Sequence, residues 1–271
     1  PGETFWQFRH FEAGDSADTV DWRRSASSDH LYVREREWEA AHTVWMWVDQ
    51  SLSMAFRSHL SASPKDDRDI VLALAMSELL VLGGERVGLI GGRPRTGRMA
   101  TNQVALGLAR RALNASDEDA SLPPTSPLGA FSEVVLFSDF LEPLEQLTPR
   151  LEHLAVQGVR GHLVQVLDPA EESLPYTGRT EFTASETGER MIAGRAESLR
   201  EKYHARMVAH REALMDELRR LKWSLLVHHT DRPPEEPLLT LHARLAGLEH
   251  DYRYRPPAEG LDDDIAPAGA A

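Results

Sequence analysis

The sequence predicts an α/β protein whose core is a mostly parallel β-sheet with helices on both faces. Short runs rich in β-branched and aromatic residues recur along the chain, and segments with helical spacing of apolar residues separate them. The runs are continuously apolar, which is typical of strands buried on both faces. We therefore predict five strands of one sheet, at 43–48, 86–90, 133–138, 161–167 and 223–228.

The segments between these strands carry the signals of helices. The residues from Ser63 to Asp66 open a helix that runs to about Leu82, and Gly83-Gly84 closes it. Apolar residues recur at three- and four-residue spacing from 196 to 221, and we interpret them as a face packed on the sheet. The other predicted helices are 102–114, 143–157 and 237–248.

Residues 1–40 are predicted to form an N-terminal arm on the core. Several aromatic side chains in this arm need to be covered by other parts of the protein. Within the arm, 31–37 alternates in part between apolar and polar residues, and we predict an edge strand there that pairs with 43–48.

The main domain is predicted to span 41–250. Strand-like runs flank a Thr-Gly-Glu turn near its middle, which predicts a β-hairpin insertion at about 175–193. After the last helix, Pro, Gly, Ala and Asp dominate the composition, and we expect 251–271 to be a disordered tail.

The composition excludes several classes of function. The net charge of −13 argues against a nucleic-acid partner, because phosphate binding needs a clustered basic face. The chain has no cysteine, which excludes disulfides, thiolate zinc sites and cysteine nucleophiles. No stretch is apolar for long enough to span a bilayer, and nothing resembles a signal peptide, so we expect a cytoplasmic protein.

The most informative segment is an Asp-x-Ser-x-Ser pattern formed by Asp49, Ser51 and Ser53, directly after the strand 43–48. A carboxylate and two hydroxyls are hard oxygen ligands, which suit a small divalent ion such as Mg²⁺ or Mn²⁺. Asp139 follows the strand 133–138, and parallel strands would bring it to the same sheet edge as Asp49. We predict one cation site from these four residues.

The sequence also allows other interpretations of the aspartates that follow the predicted strands. Asp139 could instead cap the helix that begins near Pro143, and for Asp168 we favour a helix cap over a metal role. The pair His228-His229 is interpreted as hydrogen-bonding groups rather than zinc ligands. The sequence has no phosphate-binding Gly-rich loop, and Ser51 has no evident base beside it.

Several segments together resemble the bacterial family called domain of unknown function 58, whose core is similar to a von Willebrand factor A domain. The resemblance covers about residues 1 to 230 and implies a Rossmann-like sheet that carries a metal-ion-dependent adhesion site. The segments that carry it are 14–15, 20–26, 33–35, 49–54, 84–89 and 138–140.

The resemblance also implies ligands and a partner. Asp49, Ser51 and Ser53 match the first metal-binding loop of the family, and Asp139 matches the acid after the later strand. A third loop normally supplies a threonine, for which Thr101 and Thr125 are the candidates, although the region between 112 and 131 is shorter than the family pattern. Family members often lie beside AAA+ ATPases of the MoxR type, which implies an adaptor in ATP-driven assembly or maturation of another complex.

Three functional hypotheses follow. The first is a metal-dependent adaptor that binds a protein partner through an open position on the cation and catalyses nothing. The second is a Mg²⁺-dependent hydrolase or phosphatase that uses Asp49 and Asp139. The third is an interaction domain whose metal site is no longer functional.

Overall fold

The computed structural model describes residues 5–11, 20–26, 28, 30–37, 42–113, 121–185 and 187–246. In chain order the strands are β1 (Phe5–His10), β2 (Tyr32–Glu37), β3 (Thr43–Val48), β4 (Arg86–Leu89), β5 (Glu133–Ser138), β6 (Arg160–Leu167), β7 (Thr180–Thr183), β8 (Arg190–Ala193) and β9 (Ser224–His229). The α-helices are α1 (Trp22–Ser25), α2 (Lys65–Leu82), α3 (Arg98–Leu113), α4 (Leu144–Ala155), α5 (Pro169–Ser173), α6 (Arg200–Leu221) and α7 (Glu235–Leu245).

Five strands form one parallel sheet in the order β4-β3-β5-β6-β9. The chain passes from β3 outward to β4 and then returns to β5 on the other side of β3. The strand order therefore reverses between β3 and β5, and open α/β sheets bind ligands at such a point, outside the carboxyl ends of the strands. The predicted α/β, Rossmann-like fold is confirmed, and each of the five predicted strands agrees with the observed one to within one residue at either end.

Both faces of the sheet are buried, as the continuous apolar runs predict. In β3, alternate residues point to opposite faces. Val44, Met46 and Val48 pack in the core beneath α2, α3 and α7, whereas Trp45 and Trp47 pack in the core beneath α4 and α6. A strand with apolar residues at every position thus serves two cores at once.

The structure differs from the sequence prediction at some elements. The strand predicted at 31–37 is β2, but it pairs antiparallel with β1 in a separate two-stranded sheet and not with β3. Alternation shows that one face of a strand is exposed, but it does not select the partner strand. Helix α3 begins at Arg98 rather than 102. In α6, the predicted apolar face is fully buried only at Leu214 and Leu218 among the residues described.

The predicted hairpin insertion is present as β7 and β8, which pair antiparallel. The packing of the N-terminal arm on the core stays a prediction, because 1–4, 12–19 and 38–41 lie outside the described residues. The predicted tail at 251–271 also lies outside them. In the part of the chain that the structure describes, no helix combines the length and apolar character needed to cross a membrane.

Candidate metal site

Two buried aspartates lie at the point where the strand order reverses. Asp49 directly follows β3, Asp139 directly follows β5, and both side chains are almost completely inaccessible to solvent. The amide of Asp49 donates to the carbonyl of Phe137 at 2.9 Å, which continues the pairing of β3 with β5 to the edge of the sheet. The two acids are therefore held by the end of one ladder of main-chain hydrogen bonds.

The loop after β3 turns its polar groups toward Asp49 and Asp139. Asp49 Oδ1 accepts from the amide of Ser51 at 2.8 Å, and Asp49 Oδ2 accepts from the hydroxyl of Ser138 at 2.6 Å. The hydroxyls of Ser51 and Ser53 lie 3.1 Å apart, and that of Ser53 donates to Asp139 Oδ2 at 3.2 Å. The four residues predicted as ligands are thus joined by one network.

A third carboxylate, Glu142, completes the cluster. Single oxygens of Asp49, Asp139 and Glu142 all lie within 4.8 Å of one another. Glu142 interacts with the hydroxyl of Ser121, but its Oε2 is buried without a hydrogen-bond partner among the described residues. Burial, followed by repulsion from neighbouring aspartates, raises the pKa of Glu142 to about 7. Burial also raises the pKa of Asp49 to about 6.

A buried lysine lies against the cluster. Lys65 is the first residue of α2, and its Nζ lies 2.7 Å from Asp139 Oδ2 and 2.6 Å from Glu171 Oε1. Burial alone would lower the pKa of Lys65, but the two carboxylates raise it above its ordinary value, so the side chain is an ammonium ion. Burial and the helix N-terminus both disfavour a cation at this position, and the two ion pairs compensate for them.

The main chain around Asp139 is supported from behind by α6. Gln165 donates from Nε2 to the carbonyl of Asp139 at 2.8 Å, and Arg211 donates from Nε to Gln165 Oε1 at 3.1 Å. His210 donates from Nε2 to the carbonyl of Phe140 at 2.7 Å. Phe140 has a φ of 49°, in the left-handed region that non-glycine residues seldom adopt, so this loop needs such support.

Comparison with known protein families identifies the chain. The family model described as Protein of unknown function DUF58 matches residues 7–213. The chain belongs to this family. The match begins within β1 and includes β2, the sheet strands from β3 to β6 and the whole cluster of Asp49, Asp139 and Glu142.

The curated relatives of this DUF58 protein carry the description uncharacterized protein. Uncharacterized protein Rv1480 of Mycobacterium tuberculosis is 24% identical over 249 residues, which cover 86% of this chain and 76% of the relative. Uncharacterized protein Mb1516 of Mycobacterium bovis matches with the same identity and coverage.

Two solved structures are similar in outline. One is an aerotolerance-related membrane protein from Bacteroides fragilis, with 13% identity and a TM-score of 0.42 over 76% of this chain and all of that one. The other is the conserved hypothetical protein BatB from Bacteroides thetaiotaomicron, with 12% identity and a TM-score of 0.41 over 78% of this chain and all of that one.

The two threonines suggested for the third loop do not join the network described above. Thr101 lies on α3, and its hydroxyl donates to Glu78 of α2 at 2.8 Å. The side chain of Thr125 is exposed, in the segment before β5. The metal role of both residues stays a prediction, as does that of Asp49, Ser51, Ser53 and Asp139.

The remaining acid and histidine predictions concern the neighbouring strands. Asp168 caps α5 by accepting from the amide of Ala170 at 2.9 Å, which confirms the capping interpretation. Asp139 does not cap a helix, because α4 begins after Pro143 without a side-chain cap. His228 lies near Arg68, and His229 contacts Glu172, so both are hydrogen-bonding groups as expected.

Three residues at the site were not predicted from the sequence: Glu142, Lys65 and Glu171. A signal for Lys65 exists in the sequence, because it lies four residues before Asp69 and extends the buried stripe of α2 through Leu72 and Met76. No comparable signal marks Glu142, which lies in a loop.

The donor set fits a small divalent cation. Three carboxylates and two hydroxyls converge from the loops after β3 and β5, and all are hard oxygen ligands. The unpartnered Oε2 of Glu142 provides a buried acceptor that a cation or its water could satisfy. Nucleophilic catalysis fits less well, since the hydroxyl of Ser51 has no histidine partner among the described residues.

Proposed function

We propose that this protein is a metal-dependent protein-binding adaptor module that catalyses nothing by itself. The observation that supports the proposal is the convergence of Asp49, Asp139 and Glu142, with the hydroxyls of Ser51 and Ser53, at the point where strand order reverses. Bound Mg²⁺ or Mn²⁺ would supply an open coordination position that accepts a carboxylate from the partner.

The exposure of the residues after β3 supports the presentation of such an ion to a protein. Asp49 and Ser51 are buried, whereas Leu52 between the two serines is 62% exposed. An apolar side chain beside a polar cluster suits a protein surface, where an aliphatic contact can flank a charged one. A phosphate-binding loop would instead present main-chain amides or basic side chains at this position.

The partner that we propose is an AAA+ ATPase of the MoxR type. This part of the proposal rests on the resemblance to the DUF58 family. A carboxylate from the ATPase would complete the coordination of the ion. The adaptor would then act in the assembly or maturation of a further complex, and we expect it to do so in the cytoplasm.

Binding of the purified ATPase on a sensor surface tests the proposal. We expect binding with Mg²⁺, loss of binding in excess chelator, and loss in Asp49→Ala and Ser53→Ala. Asp216→Ala and Ser173→Ala are matched controls, because they remove the same groups from exposed positions outside the site. Binding that is indifferent to chelator and to both site variants would exclude a metal-bridged partner. Mg²⁺-dependent turnover by the purified protein, absent in Asp49→Ala, would instead support the hydrolase or phosphatase hypothesis.

The buried lysine favours one other candidate, an interaction domain that functions without a divalent ion. The ammonium of Lys65 already pairs with Asp139 at 2.7 Å and so compensates part of the negative charge of the cluster. Titration calorimetry with Mn²⁺ separates the two candidates. Saturable binding that disappears in Asp49→Ala supports the adaptor with a cation, and its absence in wild type supports the metal-free domain.

A further inference from the structure

A third aspartate, on α2, lies beside the cluster. Asp69 is one turn after Lys65 on α2 and is completely buried. Neither of its carboxylate oxygens has a hydrogen-bond partner among the described residues. Buried carboxylates are normally paired or hydrogen-bonded, so two unpartnered oxygens on one buried side chain need an explanation.

The electrostatic environment of Asp69 is dominated by two members of the cluster. After burial, the strongest influences on the pKa of Asp69 are the charges of Asp49 and Asp139, and together they raise it well above its ordinary value. The ammonium of Lys65 acts in the opposite direction. Since Lys65 and Asp69 are four residues apart, they share one face of α2, and Lys65 on that face pairs with Asp139 of the cluster.

The cluster and Asp69 together lack positive charge. Asp49, Asp139 and Glu142 lie together, Asp69 interacts electrostatically with the two aspartates, and Lys65 is the buried cation paired with this group in the described part of the chain. The buried Oε2 of Glu142 is also unpartnered. Two unsatisfied groups therefore flank the same cation site from different elements, the loop after β5 and helix α2.

We infer that Asp69 is an outer ligand of the cation site, which accepts a hydrogen bond from a water molecule bound to the divalent ion. The inference rests on the proposed function, because it requires that the cluster binds a cation. Asp69 is not among the carboxylates whose oxygens lie within 4.8 Å of one another, so contact through water fits better than direct coordination. Mg²⁺ and Mn²⁺ retain water in protein sites of this kind, and outer groups orient such ligands.

Calorimetric titration with Mn²⁺ tests the role of Asp69 in the variant Asp69→Asn. This substitution keeps the size of the side chain and removes its charge. We expect Mn²⁺ affinity to fall about tenfold, as is typical when an outer partner of a metal site is lost. Asp67→Asn is the matched control, because it removes the same charge from the same turn of α2 at an exposed position.

Thermal unfolding in chelator provides a second measurement. If Asp69 serves the cation and not the fold, Asp69→Asn and the similarly shaped Asp69→Leu should melt at or above the temperature of wild type. Mn²⁺ should then raise the melting temperature of both variants less than that of wild type.

The outcomes separate this inference from the proposed function. Mn²⁺ binding by wild type that is lost in Asp49→Ala but unchanged in Asp69→Asn would overturn the inference alone. A melting temperature of both Asp69 variants well below that of wild type in chelator would also overturn it, since it would assign Asp69 to the fold. An absence of Mn²⁺ binding by wild type would overturn both the inference and the adaptor proposal.

Discussion

Replacing Lys65 by methionine is the most direct test of how the cluster is held together. The side chain of Lys65 is completely buried, and its ammonium pairs with Asp139 and Glu171 at 2.7 and 2.6 Å. Methionine fills a similar volume without the charge. The variant therefore leaves the carboxylates of Asp139 and Glu171 without the ammonium that lies between them. Asp49 and Glu142 add further carboxylates beside Asp139.

The expected loss of stability follows from this geometry. Removing one partner of a buried ion pair leaves the other charge uncompensated and costs about 3–5 kcal/mol of unfolding free energy. For a protein of this size, such a loss lowers the melting temperature by about 6–20 °C. Mg²⁺ should stabilise Lys65→Met more than wild type, because the ion then has no competing ammonium beside Asp139.

Chemical unfolding in chelator, with and without Mg²⁺, measures both effects. Lys202→Met is the control, because Lys202 is exposed on α6 and forms no ion pair with any described residue. The further variant Glu171→Gln, combined with Lys65→Met, should cost less than the sum of the two single changes. A Lys65→Met protein within about 1 kcal/mol of wild type would show that the buried pairs do not stabilise the loop.

Two further predictions concern proton linkage and packing. Because the pKa values of Asp49 and Glu142 are raised to about 6 and about 7, the folded state keeps protons that the unfolded state loses above about pH 4. Without a cation, the unfolding free energy should therefore fall from about pH 4 to about pH 7. Bound Mn²⁺ displaces these protons, so its affinity should be about 100-fold higher at about pH 8 than at about pH 5.5. A Mn²⁺ affinity that calorimetry finds unchanged over this pH range would contradict the raised pKa values. In β6, a Cβ on Gly161 would lie 2.0 Å from the ring of Trp223. Gly161→Ala should therefore lower the unfolding free energy measured in urea by about 2–3 kcal/mol. The control Gly129→Ala, whose Cβ would meet open space, should lower it little.

The central sheet could be predicted from the sequence because its strands are buried on both faces. A strand such as β3 needs apolar side chains at every position, and this requirement produces runs that stand out against the amphipathic helices. The partner of β2 could not be predicted in the same way. Its partly alternating pattern is compatible with the edge of any sheet, and pairing with β1 is fixed by contacts between distant residues.

The clearest sequence signal for the site comes from the residues that follow the strands β3 and β5. Asp49 and Asp139 meet because the carboxyl ends of neighbouring parallel strands share one edge, which is a property of the topology. Lys65 and Asp69, by contrast, lie in a charged segment that looks like the solvated start of a helix. Their burial results from the packing of α2 across the sheet edge, and the burial of their charges depends on groups from other elements.

The contacts of α6 also determine the position of the loop that contains Asp139. The carboxylate of Asp139 is positioned by β5, but its carbonyl is held by Gln165, which is in turn held by Arg211 of α6. His210 of the same helix holds the strained residue Phe140 that follows. A displacement of α6 would therefore break the bonds that keep the Asp139 loop in its left-handed turn. The geometry of the proposed cation site therefore depends on this helix as well as on the Asp-x-Ser-x-Ser loop.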